Sequence, residues 1–281
     1  MQKLDDSIIG KYENFLLYGE GGTGKTFASG TMPAPVYHLI AGSRGELVTL
    51  RSPDFLKMHP KIFDEQYYDV IFETVGKRGI FVQADAYDLA CDTLDNAMAE
   101  DAKGDMPFKS IVIDATGLAE FAMNKSIEIT YETAGSKEKT ALKKLIDSNI
   151  IVPSDQDYKG EQSLMTKYVA WALRMDKHVC VITHEWREEH TDRKTRVKTL
   201  TNVRPQFTGK NRKEIPRLFS NVWRFTTSGK GEGQVYEVQT VRDEIIYAKT
   251  RFGGLLSGQL RNVDLSVIVE KYKAEVARRA A

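Results

Sequence analysis

The chain has 281 residues, of which 41% are hydrophobic and 28% charged, and its formal net charge is +1. That size suits one large α/β domain or two small ones with a sizeable core, and the near-neutral balance excludes any inference about partners from whole-chain charge. No apolar run approaches the ~20 residues a membrane helix needs. The opening MQKLDDSIIGKYE has no long apolar stretch after its basic residue, so neither a signal peptide nor a membrane association is expected. Cys91 and Cys180 lack metal-ligand or disulfide spacing and read as buried free thiols, which suits a cytoplasmic protein.

In chain order, NFLLYG (14–19) reads as a short buried strand and the residues from Thr26 to about Thr31 as the start of a helix. PVYHLIA (35–41) reads as a second strand after the turn TMPAP, and YDVIFETV (68–75) as a third apolar run. Residues 85–101 place Ala86, Leu89, Ala90, Leu94, Ala97 and Met98 on one helical face. KSIVIDA (109–115) is a strong buried strand, and a helix is expected from about Gly117 to Thr133. The polar stretch 134–160, with Pro153 and Gly160, reads as a long loop. A helix over 161–176 and a buried strand HVCVITH (178–184) follow. Residues 185–217 are polar and heavily charged. NVWRFTTS and QVYEVQTV alternate like paired antiparallel strands around SGKGEGQ, and a last helix spans about 264–279. Strands alternating with helices predict a mostly parallel α/β sheet with helices on both faces. The 221–241 strands read as an antiparallel edge addition. No linker divides the chain, so a single domain over 1–281 is expected, with the C-terminal hairpin and helix (about 221–281) packed on the core.

GEGGTGKT (19–26) raises the central question, because glycine weakens both strand and helix. The stretch matches G-x-x-x-x-G-K-[ST], with Gly19, Gly24, Lys25 and Thr26 in the fixed positions. Glycines let the loop curl so that backbone N–H groups, here of Gly21, Gly22, Thr23 and Gly24, point inward at phosphate oxygens. The loop then feeds a helix N-terminus. Lys25 would reach the β- and γ-phosphates, and the Thr26 hydroxyl would ligate Mg²⁺. Asp114, ending SIVID, is the candidate carboxylate holding Mg²⁺ through water. Ala115 follows where motor ATPases of the AAA+ kind usually carry a glutamate base, which argues against that class. His184, at the tip of HVCVITH, is the candidate γ-phosphate sensor. For the catalytic base, Glu46 is favoured over Glu73, Glu20 and Glu185, since Gly42 stands where the acid is expected.

GEGGTGKT, SIVIDATG, VITHE and KTRFG (249–253) occur in the order seen in RecA-like ATPases. From about Asn14 to Gly254 the chain resembles phage-encoded ATP-binding proteins with a core-only RecA fold, some of which act in single-strand annealing and recombination. KTRFG is similar to the KNRFG segment of RadA-type proteins. The resemblance implies ATP and Mg²⁺ as cofactors and a ring or filament of identical subunits with nucleotide at the interface. Lys249 and Arg251 would then reach a neighbour's γ-phosphate. A possible single-strand-binding protein partner and a phage protein's place in a host cytoplasm are also implied.

Residues 187–217 hold ten Lys or Arg against four acids, a local balance of +6. In RecA-like folds the loops after this strand line the DNA channel. Arg193, Lys194, Arg196, Lys198, Arg204 and Lys210 are therefore candidates for the backbone of single-stranded DNA, with Trp186 or Phe207 stacking on bases. Lys137, Lys139, Lys143 and Lys144 form a second candidate group. The expectation is an ATPase acting on single-stranded DNA. A nucleotide or small-molecule kinase and a non-hydrolysing nucleotide-dependent loader are the alternatives.

Overall fold

The computed structural model describes residues 11–41, 44–58, 60, 66–71, 80–105, 108–139, 153–192, 195–229, 234–256 and 259–280. Its centre is an eight-stranded sheet made of β1 (Asn14–Gly19), β2 (Val36–Ala41), β3 (Gln66–Ile71), β4 (Ser110–Asp114), β5 (His178–Thr183), β8 (Asn221–Ser228), β9 (Val235–Gln239) and β10 (Gln259–Arg261), in the order β10-β9-β8-β1-β5-β4-β2-β3. The first six named run parallel, whereas β9 is antiparallel to β8 and β10 to β9. β6 (Glu185–Thr191) and β7 (Lys198–Pro205) form a separate antiparallel hairpin. The helices are α1 (Lys25–Gly30), α2 (Pro53–Met58), α3 (Ile80–Lys103), α4 (Ala115–Thr133), α5 (Asp155–Ala172), α6 (Asn211–Leu218) and α7 (Leu265–Ala280).

Side-chain alternation sorts each central strand into two cores. Leu16 and Tyr18, Ile111 and Ile113, and Val179 and Val181 face α3, α4 and α5. Phe15 and Leu17, Val112, and Cys180 and Ile182 face α1 and α7, together with Trp223, Phe252, Leu265 and Val269. Burial on both faces is why these strands read as continuous apolar runs. It also corrects the expectation for 221–241. Asn221, Val222, Trp223 and Phe225 are all buried, and β8 lies parallel beside β1 inside the sheet, so only β9 and β10 are the antiparallel addition. β10 was not anticipated.

The expected loop over 134–160 is partly helix. Ser154 and Asp157 form a capping box, with the Ser154 N–H donating to Asp157 Oδ2 at 2.7 Å. This fixes the start of α5 at Asp155, well before Gly160. Thr130 on α4 donates to Asp157 at 2.7 Å, so the end of α4 meets the start of α5 and the two run antiparallel. Tyr87 and Tyr168 donate to Leu164 O and Ala90 O, binding α3 to α5.

The edge where the parallel strands begin is held by an ion pair. Glu13, its side chain fully buried, lies 3.0 Å from Arg251 Nη2 and accepts from Asn221 Nδ2 at 3.3 Å. His178 Nδ1 accepts the Glu13 N–H at 2.9 Å. Burial pushes the His178 imidazole down to about 4, helped by Lys273 and Lys109, and holds His38 at about 4 as well.

A second buried acid, Glu161 of α5, is 1% exposed, and its Oε2 has no hydrogen-bond partner. Burial raises its carboxyl to about 7 against a hydrogen bond with Thr208. The native carboxyl therefore holds its proton more tightly than the unfolded one, so this group loses stability as pH rises from about 4.5 to 7. The two buried histidines act oppositely, gaining stability as pH rises from about 4 to 6.5. Glu161→Gln should therefore be more stable than wild type at pH 8, by on the order of 2–3 kcal/mol, and equal to it near pH 4.5. Urea denaturation of both proteins across that range measures the difference.

Candidate functional site

The carboxyl edge of the sheet gathers the motif residues. β1 ends at Gly19, where only glycine fits because the Phe225 carbonyl oxygen of β8 would lie 2.2 Å from any Cβ. The loop closes on itself. Thr23 Oγ1 donates to Glu20 O at 2.8 Å, and Lys25 Nζ donates to Gly19 O at 3.0 Å and to Glu20 O at 2.7 Å. Lys25 is only 7% exposed, so its charge sits among carbonyl dipoles at the mouth of the loop. Gly24 has φ +85°, a left-handed conformation natural to glycine. A Cβ there would also meet the Tyr236 ring of β9 at 2.8 Å. The far sides of Gly21 and Gly22 face open space. α1 opens with Ala28 N–H donating to Gly24 O at 2.9 Å, and half-buried Thr26 lies in its first turn. With only six residues in α1, the loop amides rather than a helix dipole must supply most of the positive potential.

Asp114 ends β4, is 8% exposed, and caps α4 by accepting the Thr116 N–H at 2.8 Å. It is level with Ile182 on β5, which is level with Leu17 on β1. Two strand spacings, roughly 10 Å, therefore separate it from β1, a gap suited to an ion and its waters. Among the described residues no three His, Cys, Asp or Glu side chains cluster to hold a metal. One hydroxyl and one carboxylate suit Mg²⁺, which keeps several waters and takes phosphate oxygens. The residues present thus fit a magnesium-bound triphosphate.

His184 follows β5 at the same edge and is half-buried; its carbonyl accepts Gln206 N–H at 2.8 Å, while Thr183 Oγ1 donates to Gln206 O at 3.0 Å. β2 ends at Ala41 without an acid. Glu46 falls in the 3-10 segment Arg44–Arg51, but its side chain, like Glu73, lies outside the described residues. Glu20 pairs with Arg187 at 2.7 Å between exposed side chains, whereas Glu185, its side chain 3% exposed, is held by both Arg187 and Arg224.

Lys249 and Arg251 are not brought to this edge. Lys249 pairs through its backbone with Val222 and donates from Nζ to Arg217 O at 3.4 Å; burial lowers its ammonium from the usual lysine range. Arg251 sits with Glu13 at the opposite edge, about six strand residues or roughly 20 Å from Gly19.

The charged segment resolves into pairs. Lys198 meets Glu189 at 3.3 Å, and Lys210 meets Glu214 at 3.8 Å. Arg204 donates to Asn202 at 3.0 Å and lies against the Tyr247 ring. Arg196 is exposed in the hairpin turn with φ 59°. Arg193, Lys194, Lys143 and Lys144 lie outside the described residues. Phe207 is buried, and the Arg212 guanidinium covers Trp186 at 4.0 Å from the ring centroid. Burial takes Phe207 out of reach of a base, whereas the Trp186 side chain is half-buried.

Tyr236, Arg224 and the Glu185–Arg187 pair went unnoticed in the sequence. The alternation Glu185-Trp186-Arg187 carried a signal, since residues two apart on a strand face one way.

A glycine-curled loop between a buried strand and a helix, with an acid-ended strand two places away, defines a P-loop fold of the nucleotide-binding kind. The chain belongs to the AAA domain family, whose sequence profile matches residues 11–252. Ala115 shows that membership does not bring the motor-type glutamate with it. No curated protein matches the chain. Among solved structures it is similar to the flagellar accessory protein FlaH from Methanocaldococcus jannaschii, at 11% identity over 89% of this chain and 84% of that one, with a TM-score of 0.38. It is also similar to a KaiC-like protein from Pyrococcus horikoshii, at 12% identity over 81% and 77%, with a TM-score of 0.36. Among the described residues no helix is long and apolar enough to cross a membrane.

If the Tyr236 ring is what a side chain at position 24 strikes, Gly24→Ala should cost less in a Tyr236→Ala background than in wild type. The left-handed strain of about 1 kcal/mol would remain in both. A double-mutant cycle by urea denaturation, with a coupling of at least about 0.5 kcal/mol expected, checks this.

Proposed function

We propose that the protein binds ATP with Mg²⁺ and hydrolyses it, and that it does so in assemblies of identical subunits acting on single-stranded DNA in a phage-type replication or recombination system. The observation that carries the reading is the loop of residues 19–26, closed by the buried Lys25 ammonium at the same sheet edge as Asp114. The loop amides and Lys25 would bind and orient the triphosphate, with Thr26 and Asp114 at the ion. Bound Mg²⁺ would supply charge neutralisation at the phosphates. His184 would face the terminal phosphate from the tip of β5. A trans role for Lys249 and Arg251 suits their place at the opposite edge, which a neighbour could present to this one. It requires Arg251 to leave Glu13, so Lys249 is the more available cation.

The loader alternative gains support from one feature. The P-loop is tied to the β6–β7 hairpin through Glu20 and Arg187, so nucleotide binding would alter an exposed element even with slow turnover.

Calorimetry of the full chain with ATP and Mg²⁺ should give a clear binding heat in wild type and at least tenfold weaker binding in Lys25→Ala, the size of a charged hydrogen bond. Absence of heat in wild type overturns the reading. For the trans role, Lys25→Ala and Lys249→Ala should each lose DNA-stimulated turnover, and mixing them should restore part of it. No recovery on mixing removes the inter-subunit model.

A further inference from the structure

Arg187, the third residue of β6, places Nη2 2.7 Å from Oε1 of Glu20, the first variable residue of the P-loop. Its Nε donates to Oε1 of Glu185, whose side chain is 3% exposed. Glu185 in turn receives Arg224 Nε at 2.9 Å and Nη2 at 3.4 Å. Arg224 is level with Tyr18 of β1, one residue before the loop. The inner nitrogen of Arg187 is thus anchored by a buried carboxylate, while an outer nitrogen is offered to the rim of the loop.

The two contacts differ in strength. The Glu185 side chain is 3% and the Arg224 side chain 14% exposed, so removing Arg224 would strand a buried carboxylate. The Glu20–Arg187 contact lies between side chains 60% and 44% exposed, where an ion pair changes an equilibrium by at most about fivefold. It can be exchanged easily. A triphosphate held by amides of the same loop carries several negative charges and presents paired oxygens, the acceptor geometry a guanidinium fork prefers. Glu20 stands where such an oxygen would compete with it.

We propose that Arg187 is a nucleotide-binding arginine supplied in cis, which exchanges Glu20 for the terminal phosphate of a nucleoside triphosphate and so couples the root of the β6–β7 hairpin to the state of the nucleotide. This rests on the P-loop reading above. Glu185 acts through Arg187 and is a positioning residue; Glu20 is a competitor. Trp186 lies between Glu185 and Arg187 with Arg212 stacked on its ring, so its environment changes when the root moves.

The test uses the full chain with Mg²⁺ and compares ATP with ADP by calorimetry. Arg187→Ala should weaken ATP about tenfold or more, the effect of losing a hydrogen bond between charged groups, and ADP by less than about threefold. Glu20→Gln should tighten ATP by up to about fivefold and leave ADP unchanged. ATP should shift tryptophan fluorescence in wild type but not in Arg187→Ala, and Trp186→Phe should abolish the shift. Equal losses for ATP and ADP in Arg187→Ala, or no change for ATP in Glu20→Gln, overturn the proposal. Should Arg187→Ala fail to fold, Glu20→Gln at its exposed site decides alone. A wild type that binds neither nucleotide instead overturns the P-loop reading itself.

Discussion

A cation buried against two carbonyl oxygens organises this molecule. Lys25 is nearly inaccessible, and its ammonium is held by Gly19 O and Glu20 O. A charge in that position is costly unless dipoles or an anion surround it. The loop supplies the dipoles and leaves the open side of Gly21 and Gly22 for the anion. Keeping the loop in that shape takes more than its own glycines. Phe225 of β8 forbids a side chain at position 19, and Tyr236 of β9 forbids one at position 24. The hairpin at the end of the chain is therefore part of the wall of a site that begins near its start.

The sheet separates two chemistries by its polarity. At the carboxyl edge lie the P-loop, Asp114, His184 and the root of the β6–β7 hairpin. At the amino edge the buried Glu13 pairs with the half-buried Arg251, together with Asn221 and His178. Such a pair contributes little net stability, yet breaking it strands a charge. Arg251 therefore has a structural duty regardless of any role toward a neighbour.

Part of the excess of basic residues over 187–217 is matched by neighbouring acids and amides at the surface. Lys198, Lys210, Arg204 and Arg187 face acids or amide oxygens, while Arg212 covers Trp186. A count along the chain adds charges that the hairpin register sets opposite one another. What the register leaves at the carboxyl edge is a guanidinium at the lip of the loop.

The sequence alone determined the P-loop, the acid-ended strand Ser110–Asp114 and the alternation of strands and helices. Each is written within a few consecutive residues, where glycine placement, apolar runs and a terminal carboxylate have local physical causes. It also carried a local signal for the start of α5, overlooked in expecting a loop over 134–160, since Ser154 and Asp157 are a capping pair three residues apart. Only tertiary structure decided that β8 lies parallel beside β1, that Tyr236 covers Gly24, that Arg251 answers Glu13, and that Arg187 meets Glu20. Those contacts join residues from 167 to 238 positions apart. Their partners are chosen by strand order and register, quantities that emerge only when both faces of the sheet are buried at once.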